Sequence, residues 1–163
     1  MNPIPTGRLD GAELVLTRTF RASKDDVWRS IVEPERTKRW FAEWWGEPGP
    51  GRTIKYRMVF EGDDAPESEM LIERCEPPSL LLVSSVQEHG TMRLEARLVE
   101  RAGATELTLV QHLNDLDAVG EMGPGWEYYL DLLVSSREGT PQPSFDDYYP
   151  GQKLYYETLR APA

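Results

Sequence analysis

One stretch near the C-terminal end of the sequence has the hydrophobic pattern of a long amphipathic helix. In residues 123–139 (GPGWEYYLDLLVSSREG) apolar side chains recur every three or four positions, the spacing of one helical face. That face comprises Trp126, Tyr129, Leu130, Leu133 and Val134. Pro124 and Gly125 indicate the start of the helix. Gly139 indicates its end, because glycine accepts the left-handed turn that closes many helices.

The N-terminal third of the chain combines a strand with two short helices. Residues 1–11 are rich in proline and glycine and lack periodicity, so we expect a flexible arm. Residues 12–20 alternate as a strand does. Ser23 is a good N-cap for a helix that ends before Pro34, and Pro34 can open a second short helix as far as Phe41.

From residue 53 onward the hydrophobic period changes to two, which is typical of half-buried strands. Turn signals rich in glycine, aspartate and proline separate five such runs. We place these strands at residues 53–60, 67–75, 80–86, 92–98 and 107–113. Since the connections are short, the runs predict an antiparallel meander with one buried face.

Together these elements predict one α+β domain over residues 12–139. A curved antiparallel sheet of about six or seven strands would wrap around the long helix, with two short helices after the first strand and a cavity between sheet and helix. The aromatic tail, residues 140–163, is expected to cover the shoulder of that helix at Tyr128 and Leu132. A contact between two copies of the chain, a homodimer, is the alternative for the tail.

The net charge and the cysteine content argue against several classes of function for this protein. A net charge of -10 over 163 residues argues against binding nucleic acid or an anionic membrane, since both attract basic surfaces. Cys75 is the single cysteine, so no internal disulfide can form. No apolar run approaches the ~18 residues of a membrane span, and the N-terminus does not look like a signal peptide. We therefore expect a cytoplasmic protein.

No recognisable catalytic or metal-binding constellation appears in the sequence. His89 falls in a predicted turn and His112 on the outer face of a strand, so they do not form a metal pair. Residues 46–53 nearly match a phosphate-binding loop, but two prolines remove backbone donors and a strand follows instead of a helix. We therefore expect no metal and no cofactor.

Two polar residues are predicted on buried faces of strands. Gln111 lies among leucines, where an unpaired amide would cost roughly 1 to 3 kcal/mol, so it requires a partner. That partner could be another side chain, such as Arg18 or Tyr56, or a water or ligand in the cavity. Arg18 shares a face with Leu16 and Phe20, where its guanidinium either reaches the rim or pairs with a carboxylate, or else serves as a polar anchor inside the cavity.

Residues 40–45 (WFAEWW) contain three of the five tryptophans of the chain. Two interpretations remain open at this stage. The rings close one end of the core, or some of them line the entrance for a ligand.

Several motifs resemble, in order, those of the activator of heat-shock protein 90 ATPase homologue family. They are residues 16–28 (LTRTFRASKDDVW), 33–35 (EPE), 39–41 (RWF), 76–80 (EPPSL) and 125–130 (GWEYYL). This family is part of the START-like superfamily, also called SRPBCC, which is similar to birch-pollen allergen. The resemblance covers about residues 12–137. It implies a helix-grip fold with a pocket for hydrophobic small molecules, and no shared catalytic set.

We therefore expect the protein to bind a small hydrophobic or aromatic molecule, lipid-like or polyketide-like, between the sheet and the long helix. The predicted ligand pocket comprises Arg18, Trp40, Tyr56, Met58, Phe60, Met92, Leu94, Gln111, Trp126, Tyr129, Leu130 and Leu133. One alternative is a cyclase- or hydrolase-type enzyme acting on such a molecule. Another is a protein-interaction module like the chaperone cofactors of the superfamily; the short arm lacks the extra N-terminal domain of chaperone-activating members.

Overall fold

A computed structural model describes residues 2–88 and 90–160, so His89 lies outside the described part of the chain. It has an eight-stranded antiparallel sheet and four α-helices. The strands are β1 (Arg8–Asp10), β2 (Glu13–Phe20), β3 (Ala42–Trp45), β4 (Thr53–Met58), β5 (Glu67–Glu76), β6 (Leu80–Gln87), β7 (Gly90–Arg101) and β8 (Ala104–His112). The helices are α1 (Lys24–Val32), α2 (Pro34–Thr37), α3 (Val119–Glu138) and α4 (Lys153–Leu159).

The sheet follows the order β1-β2-β8-β7-β6-β5-β4-β3. Strands β4 to β8 form the predicted meander, β3 extends it by pairing with β4, and β2 joins it by pairing with the last strand, β8. This is the helix-grip arrangement, with α+β composition as predicted. The strand number of six or seven was too low because β1 and β3 escaped the pattern. Both strands have only three or four residues, too few for an alternation of apolar and polar positions to be recognised.

The segment after β2 forms the two predicted short helices. The Ser23 side chain accepts a hydrogen bond from the Asp26 backbone N–H at 3.2 Å and caps α1. Helix α2 starts at Pro34 as predicted, but it ends at Thr37 and not at Phe41. The chain turns there because Ala42 begins strand β3, which pairs with β4.

Helix α3 is longer than the sequence pattern predicted. It begins at Val119, so Pro124 lies inside the helix and does not mark its start. A proline in the second turn removes only one backbone hydrogen bond, which the buried surroundings of the helix tolerate. The predicted end is confirmed, because Gly139 adopts a left-handed φ of 71° and its N–H bonds to the Ser135 carbonyl at 2.8 Å.

The two ends of the chain pack against α3. Residues 8–10, in the segment predicted as a flexible arm, pair with β2, and the Thr6 and Gly7 backbone N–H groups donate to the Glu127 carboxylate. In the tail, the Tyr128 ring contacts Phe145 and Tyr148, with ring centroids 5.4 and 5.7 Å apart. These contacts cover one flank of the long helix.

The core lies between the sheet and the helices. Leu130 and Leu133 of α3 are completely buried, together with Leu14 and Val27 from β2 and α1. Across residues 2–88 and 90–160, no helix is both long and apolar enough to cross a membrane.

Candidate functional site

The candidate site is an apolar cavity of about 350 Å³. It lies between the sheet on one side and α1, α2 and the segment that leads into β3 on the other. The sheet supplies Ala42, Trp44, Ile54, Tyr56, Met70, Ile72, Cys75, Leu81, Val83, Leu94, Glu95, Ala96 and Leu109. The opposite wall is Trp28, Ile31, Val32, Thr37, Trp40 and Phe41, and Pro48, Gly49, Pro77 and Trp126 complete the lining.

Aromatic rings dominate the wall opposite the sheet. Phe41 stacks on Trp126 with centroids 5.6 Å apart and an interplanar angle of 21°. Trp40 lies 5.4 Å from Phe41 in a tilted arrangement. Such offset contacts fix the rings relative to one another. In the 40–45 segment, Trp40 is buried in the core, and Trp40, Phe41 and Trp44 line the cavity. A role of these rings at a ligand entrance stays a prediction.

Three aromatic side chains of the lining have polar atoms with partners inside the protein. The Trp40 indole N–H donates to the Ser30 carbonyl at 2.8 Å, and the Trp126 indole N–H donates to Gln111 Oε1 at 2.6 Å. The Tyr56 hydroxyl lies 3.0 Å from Ser85 Oγ. These bonds satisfy buried polar groups without a ligand, so the cavity presents mainly carbon surfaces.

The lining includes one thiol, Cys75, and one carboxylate, Glu95. Burial raises the pKa of the Cys75 thiol, which keeps it protonated and weakly nucleophilic. Glu95 pairs with Arg97 at 2.7 Å. Because side chains alternate along β7, the Glu95 carboxylate lies on the face opposite to Leu94 and Ala96.

Four of the twelve residues predicted for the pocket line this cavity: Trp40, Tyr56, Leu94 and Trp126. The cavity was expected alongside the long helix, but α3 contributes Trp126 alone among its described residues. Leu130 and Leu133 are fully buried in the core, where α3 packs along β2. Met58 and Met92 of the sheet, and Phe60 in the turn after β4, are partly buried against the core outside the lining.

Tyr129 is also outside the lining and reaches the rim of the structure. Its hydroxyl donates to Glu61 Oε2 at 2.5 Å, and its ring packs edge-on against Phe41. The pKa of Tyr129 lies far above its usual value. Burial is the larger cause, and the Glu61 carboxylate is the second. This phenol is therefore a permanent hydrogen-bond donor and not a base.

Arg18 does not anchor anything in the cavity. Its guanidinium donates to Glu127 Oε1 at 2.9 Å and to Asp131 Oδ1 at 3.0 Å, both on α3. Burial alone would lower the pKa of Arg18, but Asp131 and Glu127 outweigh it and the pKa is raised. Arg18 therefore pairs with carboxylates, one of the alternatives that the sequence left open, and both carboxylates belong to the long helix.

Gln111 is buried, as the alternation of β8 predicted, and it pairs with a side chain. The partner is Trp126, and not Arg18 or Tyr56 as considered from the sequence. Its amide nitrogen also lies 3.9 Å from Met122 Sδ. Gln111 therefore supports the cavity wall from behind by fixing the indole of Trp126.

Most of the remaining lining residues were not singled out from the sequence. Ile54, Val83 and Leu109 lie at inward positions of alternating strands, so the period-two pattern could have found them. Trp28 and Ile31 belong to the apolar face of α1. The sequence pattern could not show that this helix packs against the central strands of the sheet.

Comparison with known proteins places this geometry in context. The family described as "Activator of Hsp90 ATPase homolog 1-like protein" matches residues 21–136. A search of the curated proteins finds no significant match. CalU16 from Micromonospora echinospora, solved by crystallography, is 27% identical, with a TM-score of 0.75 over 96% of this chain and 95% of that chain.

Two further solved structures show the same fold at lower identity. The protein encoded by BPP1335 from Bordetella parapertussis is 21% identical, with a TM-score of 0.78 over 100% of this chain and 96% of that one. DynU16, a protein in the dynemicin biosynthetic locus, is 19% identical, with a TM-score of 0.69 over 83% of this chain and 51% of its own. At these identities the likeness concerns the fold alone.

Proposed function

The chain belongs to the family of Activator of Hsp90 ATPase homolog 1-like proteins, and from this premise we propose that it binds a small, uncharged, hydrophobic molecule in the apolar cavity. A lipid-like or polyketide-like compound with aromatic or polyene character fits the proposal best. The observation that carries it is the combination of an apolar wall with side-chain polar groups that already have protein partners.

The chemistry of the wall favours an uncharged ligand. A charged group placed in such surroundings would lose its hydration without gaining an ion pair, which is strongly unfavourable. The inward side chains include no cation or carboxylate in the part of the chain described, since Glu95 points to the other face of β7. Flat apolar molecules, by contrast, can stack against Trp40, Phe41 and Trp126.

The size of the cavity supports the same proposal. A volume of about 350 Å³ lies within the ~300 to 1,000 Å³ range of small-molecule sites. Protein interiors are otherwise close-packed, and an empty apolar cavity loses dispersion contacts on all its walls. A hydrophobic ligand would restore those contacts and release the water that reaches the opening.

Binding is better supported than acid–base catalysis. A general acid or base must lie within hydrogen-bond reach of the reacting group and have a suitable pKa. Cys75, whose pKa is raised by burial, does not meet that requirement. No specific contact in residues 2–88 and 90–160 favours a chaperone partner over a small molecule.

Native mass spectrometry of freshly purified protein, followed by solvent extraction, tests for a ligand that copurifies. A direct titration uses the uncharged fluorescent probe N-phenyl-1-naphthylamine. Ala96→Phe and Leu94→Trp place a larger side chain in the cavity, and Val99→Phe is the matched control because Val99 is 45% exposed on the same strand. Urea unfolding of each variant establishes that it is folded.

We expect the cavity variants to weaken probe binding at least tenfold, about 1.4 kcal/mol, while Val99→Phe binds as the wild type does. If a folded Ala96→Phe or Leu94→Trp protein kept wild-type affinity for the probe, the cavity would not be the binding site.

A further inference from the structure

A second, polar cavity lies on the opposite face of helix α1. It has a volume of about 220 Å³ and is lined by Asp26, Ser30, Arg36, Arg39, Ser136 and Arg137. Asp26 and Ser30 are four residues apart and so share one side of α1, whereas Trp28, Ile31 and Val32 line the apolar cavity from the other side. The two cavities therefore have different walls and different chemistry.

The lining of this second cavity carries a net positive charge, whereas the whole chain carries a net negative charge. Three guanidinium groups and one carboxylate line it, in a protein of net charge -10. Arg36 and Arg137 share Asp26, and Arg36 also pairs with Glu33 Oε1 at 3.2 Å, outside the lining; the side chain of Arg39 makes no ion pair with any described residue. From this excess of positive charge we propose that the cavity binds a small oxyanion with two negative charges, of the phosphate or sulfate type.

The guanidinium of Arg137 is held in position before any anion arrives. It donates to Asp26 Oδ2 at 2.6 Å and to Ser30 Oγ at 2.7 Å, and its terminal carbon lies 5.5 Å above the centre of the Phe20 ring. The hydrogen bond from Arg137 lowers the pKa of Asp26, so this carboxylate stays ionised and keeps the arginine fixed. A preorganised donor loses little side-chain entropy when a ligand binds.

Ser30 supplies a second, independent feature. It is 4% exposed, and its Oγ accepts a hydrogen bond from Arg137. Because Ser30 Oγ is the acceptor in that hydrogen bond, its own hydroxyl proton can still be donated to a ligand. An anion oxygen in the cavity would accept this proton and could also meet the free N–H groups of Arg39. The volume suffices for a tetrahedral ion with bound water, since one water occupies ~30 Å³.

The test is a titration with inorganic phosphate, sulfate and acetate at matched ionic strength. Binding is measured by calorimetry and by the NMR shifts of the backbone amides. Arg39→Ala and Arg39→Glu remove or reverse the free charge at an exposed position where folding is not at risk. Arg101→Ala and Arg101→Glu are the matched controls, because Arg101 is exposed at the end of β7 and changes the net charge equally.

We expect saturable binding of phosphate and sulfate, weaker binding of acetate, and amide shifts concentrated at Ser30, Arg39 and Ser136. Charge-assisted hydrogen bonds predict a loss of roughly tenfold or more in Arg39→Ala, with Arg101→Ala unchanged. Three results would overturn the proposal: no saturable binding to the folded wild type, equal weakening in both alanine variants, or acetate binding as tightly as sulfate. None of these results depends on the apolar cavity.

Discussion

Replacement of Glu127 by glutamine should destabilise the protein far more than its conservative chemistry suggests. Glu127 is 1% exposed and lies where the N-terminal arm, β2, α3 and α4 meet. Its Oε1 accepts hydrogen bonds from Thr6 Oγ1 at 2.7 Å and from Arg18 at 2.9 Å. Its Oε2 accepts from the Thr6 and Gly7 backbone N–H groups and from the Tyr156 hydroxyl.

The size of the effect follows from these contacts. Both carboxylate oxygens face donors, so the amide NH₂ of a glutamine would meet donors in either orientation. Breaking a buried ion pair by removal of one partner costs about 3–5 kcal/mol. Arg18 keeps Asp131, which is partly exposed, so the lower end of that range applies. We therefore expect a loss of about 3 kcal/mol, a large fraction of the ~5–15 kcal/mol typical of a domain.

Urea denaturation followed by circular dichroism measures this loss directly. For a chain of this size, about 3 kcal/mol corresponds to a fall in Tm of roughly 6–12 °C. Glu121→Gln on the same helix is the control, because Glu121 is exposed in the first turn and should change stability by no more than about 1 kcal/mol. A loss below about 1 kcal/mol in Glu127→Gln would refute the view that this carboxylate ties the chain ends to the helix.

Two further predictions concern the same region. Burial alone would raise the pKa of Glu127, but hydrogen bonds from Tyr156, Thr6 and Arg18 leave it below its usual value. The stabilisation from ionised Glu127 is therefore complete above about pH 4.3 and is lost as pH falls through the lower pKa of the folded state. In urea unfolding, the free energy of unfolding of Glu127→Gln should depend less on acid pH than that of the wild type. Gly123→Ala should cost about 1–3 kcal/mol in the same assay because its Cβ would overlap the Tyr156 ring, whereas Gly125→Ala, with open space around it, should stabilise by up to about 1 kcal/mol.

Features that depend on local pattern could be predicted from the sequence. Alternation located β2 and the five longer strands of the meander, and the residues flanking α1 located both of its ends. Ser23 and Gly139 have roles fixed by their own chemistry, since a serine oxygen caps a helix start and glycine accepts a positive φ. Such signals extend over only a few residues, so they need no knowledge of the tertiary structure.

Features that depend on distant contacts could not be predicted in the same way. Glu127 and Asp131 fall on the polar face of α3, which by periodicity alone should be in water. Helix α4 and residues 6–7 cover part of this face, and Arg18, more than a hundred residues earlier, supplies the compensating charge. Nothing in the local sequence indicates that these segments meet.

The position of the cavity shows how a small difference in packing decides the candidate site. The helix-grip fold predicts a space between the sheet and α3, but Leu130 and Leu133 fill the interior beside β2 completely. The cavity lies further along the sheet, between the bulky rings of α1 and residues 40–44 and small side chains such as Ala96. Trp126 closes the boundary between the filled and the open parts, with Gln111 fixing its indole. Under the proposed function, the choice of ligand should therefore depend on the α1 to β3 segment more than on the long helix.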